Sequence, residues 1–196
     1  MAGSGRVVAG RAGGIQLAPA GPGTRPLADR VKQAVFGSLE PVLPGSAVLD
    51  LCAGSGAAAI EALSRGAVRA VLVERDDAAV AVIRENLRRT GLAAAAVVVH
   101  RDVLAALRDP ALRAQRFDLA IVDPPYAETT LRDAVLALLA APDGPLRDGA
   151  TVVVTAYWRE PPPDEVGLLR SVRVRRFGET AITFYRRDLG GVAAAD

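Results

Sequence analysis

A-V-L-D-L-C-A-G-S-G, residues 47–56, joins an apolar run to a glycine-containing turn, and the helix-forming run A-A-A-I-E-A-L-S-R, residues 57–65, follows directly. A strand, a glycine turn and a helix in this order form the opening unit of a parallel α/β sheet. Gly54 and Gly56 permit a tight turn and let a ligand approach the backbone closely. The positive end of the helix points to the same place. We therefore expect a ligand site at the carboxyl end of this strand.

The alternation of strand and helix continues along the chain. Further strands are predicted at residues 70–73, 95–99, 117–122 and 151–155, and helices at residues 77–90, 103–107 and 129–140. Near the C-terminus, residues 172–185 alternate apolar and polar side chains on both sides of F-G-E, which predicts an antiparallel hairpin. The sequence predicts a Rossmann-like, doubly wound, mostly parallel seven-stranded sheet with an antiparallel C-terminal hairpin strand.

The predicted organisation has three parts. Residues 1–45 form an N-terminal extension, with a small hairpin at residues 6–18 and a helix that begins near Pro26. Residues 46–187 form the α/β domain. Residues 188–196 form a loose tail. The leading residues lack an apolar core, so no secretory signal is expected.

Composition excludes several classes of protein. Hydrophobic residues make up 51% of the chain, too many for a mainly disordered protein. No apolar run approaches the roughly 20 residues that span a membrane. One cysteine and one histidine cannot form a disulfide within the chain or supply a typical zinc site. We expect a cytoplasmic protein, without metal or membrane, that functions as a monomer.

The net charge of +2 is unevenly distributed. Residues 1–40 and residues 159–187 are both basic, whereas residues 41–158 are slightly acidic. Lys32 is the only lysine, and arginine forks bind phosphate and stack on bases. The basic flanks are compatible with a nucleic-acid partner, although coding bias is an equally simple source of arginine.

D-P-P-Y, comprising Asp123, Pro124, Pro125 and Tyr126, follows the apolar end of the fourth predicted strand. Pro124 moves Asp123 out of the helical conformation, and the two prolines remove two backbone donors and stiffen the turn. Carbonyl oxygens and a carboxylate then lie beside an aromatic ring. This arrangement suits a planar substrate with an amino group, such as a nucleobase. The alternative is a structural turn with a core tyrosine.

Two ligands fit the glycine turn. Gly54, Gly56 and Ala59 match G-x-G-x-x-A with an acid about 20 residues later, which is typical of dinucleotide binding. Asp50, however, repels a pyrophosphate and suits the ammonium group of S-adenosylmethionine. The long segment before the first strand and the position of D-P-P-Y, at the expected switch point of the sheet, also favour S-adenosylmethionine. Glu74 then accepts hydrogen bonds from ribose hydroxyls.

The glycine turn, Glu74, Asp102 and D-P-P-Y together resemble class I methyltransferases that act on exocyclic amino groups. Four longer stretches resemble the RsmD-type 16S rRNA guanine-N2 methyltransferases: R-V-V-A-G at 6–10, T-R-P-L-A-D-R-V-K-Q-A-V-F at 24–36, A-G-S-G-A-A-A-I-E-A-L-S-R-G-A at 53–67 and F-G-E-T-A-I-T-F-Y at 177–185. The chain departs from that family at Leu27 and Ala28, where two threonines are usual, at Gly37, where asparagine is usual, and within residues 10–19. These departures lie on the substrate side.

The resemblance implies specific roles. The cofactor is S-adenosylmethionine, the product is S-adenosylhomocysteine, and the partner is 16S rRNA or the assembled small ribosomal subunit. The predicted cofactor-binding residues are Asp50, Cys52, Ala53, Gly54, Ser55, Gly56, Glu74, Arg75, Asp102, Val103 and Asp123. The predicted catalytic residues are Asp123, Pro124, Pro125 and Tyr126. The predicted RNA-binding residues are Arg6, Arg11, Arg25, Arg30, Lys32, Arg173 and Arg175.

Other functions remain open from sequence. D-P-P-Y chemistry also serves methylation of adenine N6 in DNA or of a protein glutamine, and a catalytically weak RNA-binding assembly factor would keep the same fold. Cys52 lies in the cofactor turn, so packing is favoured over a nucleophilic role. His100 is interpreted as a loop residue. Trp158 is interpreted as a core residue, with an RNA-facing rim as the alternative.

Overall fold

The computed structural model describes residues 5–21 and 29–188 of the 196-residue chain. The chain divides into two compact units, one extending to Ala106 and the other beginning at Leu107. Within the described ranges, no helix has the length and apolar character needed to cross a membrane.

The first unit contains a parallel sheet in the order β3-β2-β1. Its strands are β1 at Ala47–Leu51, β2 at Arg69–Glu74 and β3 at Ala96–His100. Every residue of β1 is buried, including Asp50, as expected for a strand of a parallel sheet that is covered on both faces. The residue partners Leu49 and Val71 fix the register between β1 and β2.

The helices of the first unit follow the predicted order. They are α1 at Asp29–Leu39, α2 at Ala57–Ser64, α3 at Asp77–Arg89 and α4 at Val103–Arg108, which runs across the boundary of the units, and a short 3-10 turn lies at Ala93–Ala95. Asp76 is the N-cap residue of α3, since its side chain accepts a hydrogen bond from the Ala79 amide at 2.8 Å. Val80, Ile83 and Leu87 are buried on one face of α3, as predicted.

The N-terminal segment, residues 5–21, is a compact loop. The predicted hairpin is reduced to one antiparallel bridge between Arg6 and Gln16. The reason lies in α2, where Glu61 accepts hydrogen bonds from the Val8 and Ala9 amides at 2.7 and 3.1 Å. These amides bond to a helix side chain, so they do not extend a strand ladder.

Ser64 of α2 completes this attachment. Its hydroxyl donates to the Ala9 carbonyl at 2.6 Å and accepts from the Ala12 amide at 2.9 Å, while its own carbonyl accepts from the Arg11 amide at 2.9 Å. Gly10 is required here, because a Cβ at this residue would lie 2.0 Å from the Ser64 carbonyl oxygen and φ is +83°. The N-terminal loop is thus bound to α2 through its backbone.

The second unit contains strands in the order β4-β5-β8-β7-β6. They are β4 at Phe117–Val122, β5 at Leu146–Tyr157, β6 at Glu165–Val166, β7 at Leu169–Phe177 and β8 at Thr180–Arg187. Strands β4 and β5 are parallel, and the other pairs are antiparallel, which confirms the predicted C-terminal hairpin. The two-residue strand β6 adds to the seven strands predicted.

The described part of the second unit contains the helices α5 at Pro110–Arg113 and α6 at Thr129–Ala140. The end of α6 is capped by Arg187 of β8, whose guanidinium donates to the carbonyls of Leu139, Ala141 and Pro142 at 2.9–3.2 Å. Arg187 is buried, so this basic residue holds α6 to the sheet.

Candidate active site

The turn after β1, residues 52–56, has a left-handed backbone at three positions. The φ angles are 62° at Cys52, 56° at Gly54 and 75° at Gly56. A Cβ at Gly56 would lie 3.1 Å from Leu72 Cδ2, so this glycine packs against the core. A Cβ at Gly54 would meet none of the described atoms within 4 Å. Gly54 therefore borders open space where a ligand can approach the backbone.

Hydrogen bonds to neighbouring elements hold the turn in this shape. The Ala53 amide donates to the Val73 carbonyl at 3.0 Å, and the Gly54 amide donates to Glu74 Oε2 at 2.9 Å. The Asn86 side chain donates to the Ser55 carbonyl at 2.9 Å. The sequence predicts a ligand-binding turn here. The structure shows one hydrogen-bonded turn, which is formed by Cys52, Ala53, Gly54, Ser55 and Gly56.

Asp50 lies beneath this turn and is 2% exposed. Its Oδ2 accepts a hydrogen bond from the Ala59 amide at 3.0 Å, in the first turn of α2. A carboxylate at this position is stabilised by the positive end of the helix and satisfies one of its unpaired amides. In this structure Asp50 therefore fixes the direction of α2 relative to β1.

Glu74 ends β2 and accepts three backbone hydrogen bonds. Besides the Gly54 amide on Oε2, its Oε1 accepts from the Arg75 amide at 2.8 Å and the Asp76 amide at 3.0 Å. An ionised carboxylate has about four acceptor positions, so one remains for a ribose hydroxyl. The side chain of Arg75 is exposed, and its carbonyl oxygen lies 3.1 Å from His100 Nε2.

Asp102 follows β3 and begins α4. Its Oδ1 accepts from the Leu104 and Ala105 amides, both at 3.0 Å, so one oxygen caps the helix. The residue is exposed, and Oδ2 is the oxygen that a ligand amino group would meet. Val103 is buried directly behind it.

Asp123 follows the buried strand β4 in the second unit. Its Oδ1 accepts a hydrogen bond from the hydroxyl of Thr155 on β5. Burial of the carboxyl group raises the pKa of Asp123, and the hydrogen bond from Thr155 opposes part of that increase. The fold thus holds a carboxyl with an unusual affinity for a proton at the head of the D-P-P-Y turn.

The two prolines differ in exposure and in the use of their carbonyls. Pro124 is buried and Pro125 is exposed. The Glu128 amide donates to the Pro125 carbonyl at 2.8 Å, which closes the turn before α6. The Pro124 carbonyl is therefore the better acceptor for a substrate amino group.

Tyr126 presents its ring at the protein surface, with 39% of the residue exposed. Its hydroxyl oxygen lies 2.6 Å from Oγ1 of Thr180, the first residue of β8, and the two share a hydrogen bond. The ring is thus held by the hairpin F-G-E-T. The core position that was the alternative for this residue is not observed.

The basic residues of the N-terminal region occupy different environments. Lys32 is 2% exposed, and its ammonium donates to the Arg6 carbonyl and lies 3.3 Å from Asp29 Oδ1. Its predicted position on an RNA-facing edge is therefore corrected: the aliphatic stem is buried and the charge is paired inside the unit. Arg6 is exposed and forms an ion pair with Asp29 at 2.9 Å. Arg11 and Arg30 are exposed, and Arg25 lies outside the described residues.

In the second unit, Arg173 and Arg175 are exposed on β7, at positions that pair with Phe184 and Ile182 of β8. Trp158 was interpreted as core, but it is half-buried and lies beneath the guanidinium groups of Arg159 and Arg176. The core interpretation of Trp158 is therefore wrong, since the ring is partly exposed and contacts two surface arginines.

Sequence reasoning missed three buried polar residues of the first unit. Glu61, Ser64 and Asn86 bind the N-terminal loop, and Asn86 exchanges two hydrogen bonds with the Ala18 backbone at 2.8 and 2.9 Å. A signal was present for Glu61 and Ser64, since both are polar positions within the apolar run A-I-E-A-L-S. Within the ranges that the structure describes, no cluster of His, Cys, Asp and Glu could hold a metal ion.

Comparison with known proteins extends over nearly the whole chain. A family model described as "Conserved hypothetical protein 95" matches residues 5–186. "Putative rRNA methyltransferase YlbH" of Bacillus subtilis is 37% identical, covering 93% of this chain and 98% of that protein. "Ribosomal RNA small subunit methyltransferase D" of Escherichia coli is 33% identical, covering 97% and 94%. The solved structure named "Putative methyltransferase yhhF from Escherichia coli" has a TM-score of 0.80 at 31% identity, covering 95% of this chain and 99% of that chain.

Proposed function

The chain belongs to the family described as Conserved hypothetical protein 95, the RsmD-type family of rRNA methyltransferases, and on that premise we propose that it transfers a methyl group from S-adenosylmethionine to the exocyclic N2 amino group of a guanine in 16S rRNA. The observation that carries the proposal is the D-P-P-Y turn, with its protonatable Asp123 and its exposed, anchored Tyr126. The fold is that of the class I methyltransferases.

S-adenosylmethionine supplies the electrophilic methyl group when it is bound. The residues of the first unit fit this cofactor by the chemistry of their donors and acceptors. Gly54 borders open space, Glu74 keeps an acceptor for the ribose, and Asp102 keeps one oxygen for an amino group. Arg75 and Val103 flank these two acids and line the same strand ends.

Guanine N2 is a weak nucleophile because its lone pair is delocalised into the ring. Asp123 and the Pro124 carbonyl accept hydrogen bonds from the two amino protons, which favours a tetrahedral nitrogen whose lone pair is available for attack. Tyr126 stacks on the target base after it leaves its helical stack. Orientation of the two reactants supplies much of the acceleration, and no covalent intermediate with the protein forms.

The proton released by the nitrogen goes to Asp123 or to water. Burial favours the protonated form of Asp123, so the carboxylate is a stronger base than an exposed aspartate. When the cofactor is bound, the new N–C bond would form as its methyl–sulfur bond breaks, and the electron pair of that bond would stay on the sulfur of the product, S-adenosylhomocysteine. Cys52 takes no part, because its position in the cofactor turn is structural.

The RNA is held by basic residues on both units. On the first unit, RNA contacts are assigned to the exposed residues Arg6, Arg11 and Arg30. On the second unit, they are assigned to Arg173 and Arg175. We assign the extension, residues 1–45, to substrate recognition and residues 46–187 to the methyltransferase domain, and we expect a monomer to suffice. The partner is either 16S rRNA itself or the assembled small subunit.

Methyl transfer from labelled S-adenosylmethionine tests the proposal. Small-subunit particles that lack the mark and protein-free 16S rRNA are compared as acceptors, followed by nucleoside analysis of the labelled RNA. Label in N2-methylguanosine is expected, and the better acceptor identifies the natural partner. Label in DNA adenine or in a protein glutamine would replace the proposed target, and a protein that binds the particle without methylating anything would be an assembly factor.

A further inference from the structure

A cluster of one tryptophan and two arginines lies on the second unit, where β5 ends. Trp158 is half-buried, and the guanidinium carbons of Arg176 and Arg159 lie 3.6 and 4.8 Å from the centre of its ring. Both arginines are exposed. We call these three residues the Trp158 cluster. The indole ring supports two cations at the surface through cation–π contacts.

The geometry of Arg176 is fixed from the other side as well. Its Nε donates to the Gly178 carbonyl at 2.9 Å, in the turn between β7 and β8. An arginine has five N–H donors, so four remain to bind an anion or the edge of a base. A guanidinium held by a ring and a carbonyl loses little side-chain entropy when it stacks on a base or makes a bidentate phosphate contact.

The Trp158 cluster is linked to the D-P-P-Y turn by adjacent residues of the same hairpin. The Trp158 amide donates to the Glu179 carbonyl at 3.0 Å. The next residue, Thr180, shares the hydrogen bond with the hydroxyl of Tyr126. The cluster therefore adjoins the residue that holds the ring of Tyr126.

The neighbouring edge of β7 adds positive charge. β6 pairs with Leu169 and Arg170, and the Ser171 amide donates to the Asp164 carbonyl at 2.7 Å. Among the residues that the structure describes, no strand pairs with this edge of β7 beyond Ser171. Arg173 and Arg175 are exposed on β7. The adjoining turn carries one exposed acidic residue, Glu179. Arg173 and Arg175 alternate with Arg176 along β7, so they lie on the other face of the strand. Arg159 and Arg176 are the cations that contact the Trp158 ring, and cations beside an aromatic ring are typical of surfaces that bind single-stranded nucleic acid.

We propose that the Trp158 cluster binds the RNA strand directly next to the target nucleotide. Arg176 and Arg159 stack on a base or bind a phosphate of that strand, and cation–π contacts with Trp158 hold the two guanidinium groups in position. This inference rests on the proposed function, because a nucleotide taken out of its stack leaves flanking nucleotides that the protein must hold.

The test replaces both arginines, Arg159→Gln and Arg176→Gln, in the full-length chain. Arg170→Gln is the matched control, because Arg170 is also exposed on β7 but is paired with Glu165 at the other end of the strand. Small-subunit particles lacking the mark and a 16S rRNA transcript serve as substrates. Readouts are the KM for RNA, kcat, direct RNA binding against salt, and the Kd for S-adenosylmethionine.

The double variant is expected to raise the KM for RNA by roughly tenfold and to lower the salt slope of binding by about one to two, as for the loss of one stacked base and one phosphate contact or of two phosphate contacts. The control should change neither, and cofactor affinity and thermal stability should match the wild type in the double variant and in the control. Trp158→Phe keeps an aromatic ring, so its KM for RNA should lie between those of the wild type and the double variant. Trp158→Ala should have a KM for RNA similar to that of the double variant.

A double variant with wild-type KM and salt slope would overturn the role of the cluster while leaving methyl transfer intact. A wild-type protein that methylates no RNA would overturn the proposed function instead. In that case the binding measurement alone decides the cluster: equal RNA affinity of the double variant and the control would refute it.

Discussion

Thr155 on β5 donates its hydroxyl hydrogen to the carboxylate of Asp123, the residue that follows β4. Burial raises the pKa of Asp123, and this hydrogen bond works against the increase. The two parallel strands therefore set the charge of the carboxyl that begins the D-P-P-Y turn. Both the activity and the stability of the protein depend on that balance.

Replacing Asp123 with asparagine should separate function from stability. Asp123→Asn keeps an oxygen for Thr155 but removes the charge, so methyl transfer should fall by about two orders of magnitude or more, as for other lost charge-stabilising groups. Cofactor binding should remain. Initial rates and calorimetric binding of S-adenosylmethionine measure the two effects. Near-normal activity of this variant would exclude Asp123 from the chemistry.

The same variant should gain stability relative to the wild type as the pH rises above the unfolded pKa of an aspartate. A raised pKa in the folded state means that Asp123 costs stability as pH rises from its unfolded pKa, about 3.9, towards its folded pKa. Asparagine has no such cost, so its advantage in Tm should shrink as the pH falls to about 4. A difference in Tm that does not vary with pH would contradict the buried, protonatable carboxyl.

Thr155→Val should shift the pH profile of the reaction. Valine keeps the shape but donates no hydrogen, so the pKa of Asp123 should rise further and the acidic limb of kcat should move to higher pH. Activity should recover towards the wild-type value at alkaline pH. Thr155→Ser is the matched control, since it keeps the donor and should keep the profile.

The link between Tyr126 and Thr180 is open to a double-mutant cycle. Tyr126→Phe and Thr180→Val each remove one side of the hydrogen bond while keeping the ring, so each should lower kcat/KM for RNA by about threefold to tenfold. The double variant should cost no more than either single change. Tyr126→Ala also removes stacking and should be much worse. Additive losses would show that the two hydroxyls act separately.

Gly54 and Gly56 should respond differently to alanine. Both have positive φ, which costs alanine about 1–2 kcal/mol. Gly56→Ala adds a contact at 3.1 Å with Leu72, so its main effect should be on Tm. Gly54→Ala has space for its methyl group in the ligand-free protein, so its larger effect should be on the Kd for S-adenosylmethionine. Equal effects of the two variants on that Kd would argue against Gly54 as the ligand-facing residue.

The alternation of strands and helices, the cofactor turn and the C-terminal hairpin were predictable because each depends on local patterns. Apolar runs such as Leu119 to Val122, paired prolines and glycines in turns are recognisable within a few residues of sequence. β5 begins five residues earlier than predicted, at Leu146, since polar Arg147 and Asp148 interrupt the apolar pattern but are tolerated on exposed positions of the strand.

The environment of Lys32 and the attachment of the N-terminal loop were not predictable in the same way. Lys32 lies off the apolar stripe of α1, yet its charge is met by a carbonyl from residue 6. Glu61 and Ser64 bind backbone groups more than fifty residues earlier in the chain. Such partners carry no sequence signature, because any residue offers the same amide and carbonyl.

The bonds from Glu61 and Ser64 to residues 8–12 have a consequence for how this protein can change over time. These hydrogen bonds are made to backbone atoms of the loop, so they do not depend on its side chains. The exception is position 10, where glycine is required. The outward side chains of the loop can therefore be exchanged without releasing it from α2. The sequence of the loop can therefore diverge from that of relatives, while its backbone stays bound to α2 and the active site is preserved.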